Sequence, residues 1–428
     1  MTKTQRTPPP DRPARKARPA ARSGAAASSG LPILTARGLN RATLDRQLLL
    51  RRAELTEEQA VAHLVGVHAQ VPVVPYHALW ARLADFDPGR LSALLENRRA
   101  VRISLHRSTL HLVTAEDCLR LRPLVQPAQD RMLRGQFGKR LAEVDLARLA
   151  AVSRELVEDR PLMFHELGKE LARVWPGVEP LALSVAARTV LALVQVPPRG
   201  LWGRSGQARH TTVGQWLGRE PYEPAAGAVE ELLRRCLAAF GPAAVADMQT
   251  WSGLTRLREV VETMDLRAYR DENGTVLYDL PDAPLPDPET PAPPRLLPEY
   301  DNVLLSFRDR TRMVEDAYRS RIWAGNQAHR AFLVDGTVRG VWRPDIPSGP
   351  SAWRARNARS RTASVDIEPF EPLTRSEEEG VTSEAARLLR LCAPGAVHDI
   401  RVHGAARRQR QARRRKRTVP VRIDLHHR

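Results

Sequence analysis

His68 and Gln70 lie two residues apart in the stretch Val67-His68-Ala69-Gln70-Val71-Pro72, which runs on through Tyr76 to Trp80. Both side chains can hydrogen-bond while neutral, and aimed together they can hold and orient a water molecule. On an ideal helix, residues at this spacing point about 200° apart. They converge only where the backbone leaves the helix, and Pro72 supplies a break by pushing Val71 out of the α region. His68 alone also fits a helix-end histidine capping the last carbonyls, and Gln70 alone fits a surface glutamine. As a pair they point to chemistry. No other cluster competes with them. The 12 histidines contain no HExxH, and Cys118, Cys236 and Cys392 are too scattered for metal-ligand spacing or a disulfide framework. No metal or cofactor is expected.

The surrounding sequence supplies a helical frame. Thr56-Glu57-Glu58-Gln59 predicts a capping box opening a helix with Ala60, Leu64 and Val67 on one face. Residues 79–83 and 88–95 read as two further short helices. Alternating residues 100–105 and 109–113 then predict a hairpin around His106-Arg107-Ser108. Short helices followed by a hairpin make a winged-helix pattern. It recurs over helices 145–157, 161–173 and 180–195 with a Pro/Gly/Arg-rich wing at 197–212. A third copy spans helices near 224–240, 243–251 and 253–264, with a hairpin around Glu272-Asn273-Gly274.

Residues 281–294 are crowded with proline and acid and read as a linker. Beyond it lies a strand-rich segment with an Asp335-Gly336 hairpin turn, then a helix at 376–392 and a strand near 398–402. The expected fold class is α+β, with boundaries at 1–33 (basic tail), 34–125, 126–218 and 219–282 (winged helices), 283–294 (linker), 295–403 (β-rich, barrel-like domain) and 404–428 (basic tail).

The chain's 428 residues allow several cores, and no 18-residue apolar run suggests a membrane span. Net charge is +18, and its placement matters. Residues 1–29 carry +6, residues 407–417 carry +8 and residues 418–428 carry +1, which leaves the centre near +3. Such ends are expected to be disordered and to attract phosphate without sequence preference. A purely solubilising role would give the same composition.

Several segments together carry a resemblance. Val67-His68-Ala69-Gln70-Val71-Pro72 precedes Leu79-Trp80-Ala81-Arg82-Leu83. Arg107-Ser108-Thr109-Leu110-His111-Leu112-Val113 precedes Glu116-Asp117. Trp251-Ser252-Gly253-Leu254 follows, and then Leu296-Leu297-Pro298-Glu299-Tyr300-Asp301-Asn302-Val303-Leu304-Leu305 runs on to Asp309-Arg310-Thr311-Arg312. In order and spacing, over residues 34–403, these resemble the winged-helix DNA glycosylases of the AlkZ and YcaQ type. The resemblance implies three tandem winged helices and a small C-terminal β-domain around a concave DNA channel. It also implies hydrolysis of the N-glycosidic bond of alkylated purines, including bulky or crosslinked N7-guanine adducts, in base excision repair or self-resistance to a genotoxic product. The family's polar pair, commonly Gln-x-Gln or Gln-x-Asp, falls on His68 and Gln70, and His68 departs from the commonest pattern.

An N7-alkylated guanine is cationic and leaves without an enzyme acid, so two neutral side chains that orient water can suffice. Strand cleavage through a Schiff base is not expected, because no lysine lies near the motif. Arg107 and His111 on the first wing, Arg204, Arg209 and His210 on the second, and Arg308 and Arg310 in a strand-like run with Arg312 are candidate DNA contacts. Cross-strand packing for His111 and internal pairing of Arg310 with Asp309 or Asp301 are the structural alternatives. Tyr76 and Trp80 read as core. The expected partner is duplex DNA carrying alkylated purines, with a monomeric chain in the bacterial cytoplasm. A winged-helix regulator without catalysis is the competing function; it would bind undamaged DNA and lose nothing without His68 and Gln70.

Overall fold

Thr56 begins a helix by reciprocal capping: its hydroxyl accepts from Gln59 N, and Gln59 Oε1 accepts from Thr56 N. That helix, Glu57–His63, opens the part of the chain that carries the motif. The computed structural model describes residues 30–325, 327–346 and 362–404, and the expectations for the two basic ends lie outside them.

The helix stops earlier than the sequence suggests, and proline is not the cause. Leu64 caps it, then Val65 and Gly66 take positive φ of 53° and 99° and turn the chain into the strand Val67–His68. Glycine is needed at this turn: a Cβ on residue 66 would lie 2.8 Å from Val113 Cγ1. Pro75 instead sits in the first turn of the next helix, Val74–Arg82, where its missing N–H costs nothing. Pro88–Glu96 follows, then strands Ala100–Ser104 and Leu110–Thr114.

Two helices that the sequence analysis did not delimit, Ala115–Leu124 and Gln126–Phe137, lead into Leu146–Asp159, Phe164–Val174 and Pro180–Val190. Strands Leu193–Val196 and Arg209–Thr212 come next. The first and second hairpins do not stand apart. Ala100–Ser104 pairs with Leu193–Val196, so all four strands join one antiparallel six-stranded sheet. Val67–His68 forms one edge of it and Leu162–Met163 the other. Helices Ala228–Phe240, Val245–Ser252 and Leu257–Val261 precede the third hairpin, Arg267–Asp271 with Val276–Asp279, which turns at Gly274 (φ 82°).

The C-terminal sheet runs Arg295–Leu297, Ala331–Val334, Thr337–Asp345, Thr362–Pro369, Val397–Val402 in spatial order. The last two strands are parallel, and the helix Arg375–Cys392 connects them. Asp335 and Gly336 make the expected tight turn at φ 44° and 83°. Among the described residues this order is linear, so the expected barrel is replaced by an open sheet with Val381, Ala385, Leu388 and Leu389 of the helix in its core.

The first helix, Ala36–Arg46, touches the next one where His63 Nε2 meets Arg46 O at 2.7 Å, but most of its polar side chains reach far along the chain. Asn40 donates to Gly336 O at 2.8 Å, Arg41 is buried against Asp335, and Arg46 grips Asp279 bidentately at 2.6 and 2.7 Å. Leu44, Leu49 and Leu50 enter the C-terminal core, which Trp80 and Ala81 also join. The front of the chain therefore fastens its end.

Candidate active site

The turn at Val65 and Gly66 decides where the polar pair points. Past it the backbone is extended, and Ala69 N continues the ladder by donating to Leu110 O at 2.8 Å. The strand itself ends at His68 and the chain bends at Gln70, yet the Gln70 side chain still reaches the His68 ring and pulls its pKa upward. The turn, the short strand and that bend, rather than a proline break, bring the two side chains together. His68 is 2% exposed, whereas Gln70 is exposed.

Rings enclose His68. Tyr300 stacks on it at 5.1 Å and 28°, and His111, its register partner across the ladder, meets it edge-on at 5.6 Å. His106 continues the row, 5.2 Å from His111 and 4.2 Å from Trp251. Asn302 fixes the backbone below: its Oδ1 accepts from His68 N at 3.4 Å, while its Nδ2 donates to Gly66 O at 3.0 Å. Burial, followed by the positive charge of Arg107, lowers the His68 pKa to about 4, against opposing pulls from Asp301 and the Gln70 side chain. His68 is thus neutral at pH 7. His111 is held well below the ordinary range by burial and by His106 and His68, and its Nδ1 lies 2.9 Å from Thr109 O.

The nearby carboxylate is committed elsewhere. Asp301 receives both arms of Arg82, at 2.7 and 2.8 Å, and caps the short helix Asn302–Leu305. A second buried arginine underlies the motif. Arg102, 1% exposed, donates from Nη2 to the Ala69 carbonyl at 2.5 Å. Its Nε and Nη1 have no hydrogen-bond partner among the described residues, and Gly200 presses so close that a Cβ there would lie 2.8 Å from Nη1.

The remaining candidates scatter. Arg107 sits in the first hairpin's turn at φ 53°, with Nη1 donating to Trp251 O at 2.8 Å, so it joins the His68 neighbourhood with His111. Arg310 stands over Trp323 at 5.5 Å, and Trp323 meets Tyr300 edge-on at 6.2 Å. Arg308 is exposed, its backbone N donating to Asp247 beside a polar cavity of about 220 Å³. The expected strand at 308–312 does not form: Arg312 is buried, donating to Pro242 O at 3.0 Å and covering Phe307 at 4.3 Å. Arg204 is exposed in the loop of the second hairpin. Arg209 pairs with Glu166 at 3.1 Å. His210 is not on a surface at all. It is 3% exposed and stacked on Phe164 at 3.9 Å, a core position. Trp202, inside the Pro/Gly/Arg-rich wing, packs on Tyr76 at 5.0 Å, and Tyr76 and Trp80 are core as expected.

Tyr300, Asn302, His106, Trp323 and Arg102 received no role from the sequence. Tyr300 and Asn302 lay within the Leu296-to-Leu305 motif, but over 230 residues separate them from His68, and only the fold closes that gap.

The family model described as DNA glycosylase AlkZ-like matches residues 61–391. No curated protein matches the chain. Among solved structures, the Streptomyces sahachiroi DNA glycosylase AlkZ is similar with a TM-score of 0.67 at 19% identity, covering 87% of this chain and 100% of that one. At that identity the likeness is one of fold.

Proposed function

The chain belongs to the AlkZ-like DNA glycosylase family, and on that premise we propose that it hydrolyses the N-glycosidic bond of alkylated purines, N7-modified guanine foremost, with His68 and Gln70 as the catalytic pair. The observation that carries this reading is a buried, neutral His68 in side-chain contact with an exposed Gln70 two residues on. Alkylation at N7 makes the base a cationic leaving group, so no acid is required. As the bond from C1′ to the base breaks, its electron pair neutralises the base and the sugar becomes oxocarbenium-like. Gln70 orients a water toward C1′ through its carbonyl oxygen, and the neutral His68 ring beside it shares that water's hydrogen bonds; as the water oxygen bonds to C1′, its surplus proton passes to bulk solvent. A ring with a pKa near 4 is a weak base, so His68 anchors the water more than it deprotonates it. Neutral, unmodified purines are poor substrates by the same logic.

The three sets of helices that each precede a hairpin, over 34–125, 126–218 and 219–282, are read as winged helices facing the DNA, with 295–403 as a β-rich buttress. Arg107, Arg204 and Arg310 are read as contacts to duplex DNA made by a monomer in the bacterial cytoplasm, in repair or in self-resistance to an alkylating product. His111, 3% exposed and packed across the ladder on His68, follows the structural alternative instead. The test incubates the protein with duplexes carrying N7-methylguanine or a bulky N7-guanine adduct, followed by alkaline cleavage. Wild type should leave abasic sites, and His68→Ala and Gln70→Ala should each slow release at least tenfold or so, the loss expected for one well-placed hydrogen-bonding group. No abasic sites on any cationic adduct sinks the reaction; full activity in the double variant sinks the site.

A further inference from the structure

Arg107 acts on the His68 ring, and Arg310 acts on Arg107 and stands over Trp323, beyond the Tyr300 that stacks on His68. No carboxylate pairs with either arginine among the described residues. Arg107 occupies the strained hairpin turn, with φ of 53° followed by 55° at Ser108, and its one hydrogen bond is to the Trp251 carbonyl. Arg310 gives only its Nε to Phe307 O, at 3.4 Å, while its guanidinium faces Trp323. The two repel one another, and burial together with that repulsion lowers Arg107 to about 10. The neighbouring acids are spent: Asp301 on Arg82, Glu299 on Arg330 at 2.7 Å, Asp309 on Thr311 N and Asp247 on the backbone of Ala244 and Arg308. Like charges held together without a counter-ion are unfavourable in a folded protein. They are also of the wrong sign for the reaction, since a cation beside an oxocarbenium-like sugar opposes its formation. An anion must therefore join them at the moment of chemistry, and the substrate itself carries one on each side of the damaged sugar.

We propose that Arg107 and Arg310 together seat one backbone phosphate of the damaged strand beside His68 and Gln70, and that this phosphate supplies the negative charge which favours the cationic sugar. Guanidinium groups suit the task, because their forked donors match phosphate oxygens and Trp323 supports the flat face of Arg310. The phosphate anchors the strand and offsets half of the pair's positive charge in one step. A duplex whose flanking phosphate is neutral would then sit against two uncompensated cations. The inference rests on the glycosylase reading but can fail separately from it.

The experiment measures single-turnover release of N7-methylguanine from duplexes in which each phosphate near the lesion is replaced, one at a time, by an uncharged methylphosphonate. One position should slow wild type about tenfold or more, as expected for losing a charge-assisted contact. Arg310→Gln should slow the all-phosphate duplex by a similar factor, yet lose little more on the methylphosphonate duplex, since both changes remove the same contact. Arg310 carries the cycle because it is only partly buried; Arg107→Lys, with its melting curve checked, repeats it. If no position matters, or if the two losses simply multiply, the phosphate site is wrong. If wild type releases no base from the all-phosphate duplex, the glycosylase reading falls instead. The same cycle run on duplex affinity then decides the phosphate contact without activity: non-additive losses keep it, and additive losses remove it.

Discussion

Arg102 is a positive charge sealed beneath the motif with one carbonyl to bond. Burial and the nearby Arg199 lower its pKa to about 10, so it stays charged at pH 7. A buried guanidinium without a carboxylate is a poor source of stability. Its geometry assigns it to holding the Ala69 peptide, on which the directions of both His68 and Gln70 depend. Arg102→Met should lower kcat about tenfold or more, the worth of one hydrogen bond to a charged group, while DNA affinity holds. Arg102→Lys should recover part of that loss, because an ammonium can still reach the carbonyl. A drop in Tm with kcat unchanged in both variants would mark the residue as merely structural.

At the scale of elements, the turn that ends Glu57–His63 sets the register of the motif strand. Gly66→Ala meets both a disfavoured φ of 99° and Val113 Cγ1 at 2.8 Å, so it should destabilise the fold by roughly 1–3 kcal/mol and slow base release further than that loss explains. Gly274→Ala is the control: its φ is 82°, but an added Cβ would meet no atom within 4 Å, so denaturant melts should show backbone strain alone and activity should hold. Equal loss of activity in both variants would separate the turn from the site. Such turns also mark what was legible in the sequence. The Thr56 capping box, the Asn273-Gly274 and Asp335-Gly336 hairpins and the helix Arg375–Cys392 follow local rules and could be read residue by residue. The proposed polar pair stood out by its residue types, whereas the way its side chains converge did not follow from their spacing. The stop after His63 was not, because it depends on the strand pairing with Leu110–Thr114. The 308–312 run misled for a similar reason: Arg312 takes its partners from Pro242 and Phe307 rather than from a neighbouring strand. His210 looked like a surface basic group only because Phe164, which covers it, lies far back in the sequence.

At the scale of the whole molecule, five histidines among the described residues are buried and held uncharged. His68 and His210 fall to about 4, His77 and His106 to about 3, and His111 well below its usual value, chiefly through burial. In the unfolded chain each titrates near 6.5, so below that pH the unfolded state binds protons that the native state refuses. Their stabilising contribution is complete above about pH 7 and declines as pH falls toward 4 and 3, by about 1.4 kcal/mol per pH unit for each histidine still neutral. Urea melts should therefore show a much lower midpoint at pH 5 than at pH 7.5, and an unchanged midpoint would contradict the neutral row.

The fastening of the first helix onto the last sheet has a consequence for how the protein is born. Arg41 must wait for Asp335, 294 residues later, before its charge is paired. At ribosomal speeds of about 5–20 residues per second that wait lasts roughly 15–60 s. Until then the helix holds only earlier partners such as His63 and later Asp279, and its buried Arg41 stays uncompensated, so the last sheet to be made is also the one that completes the first helix.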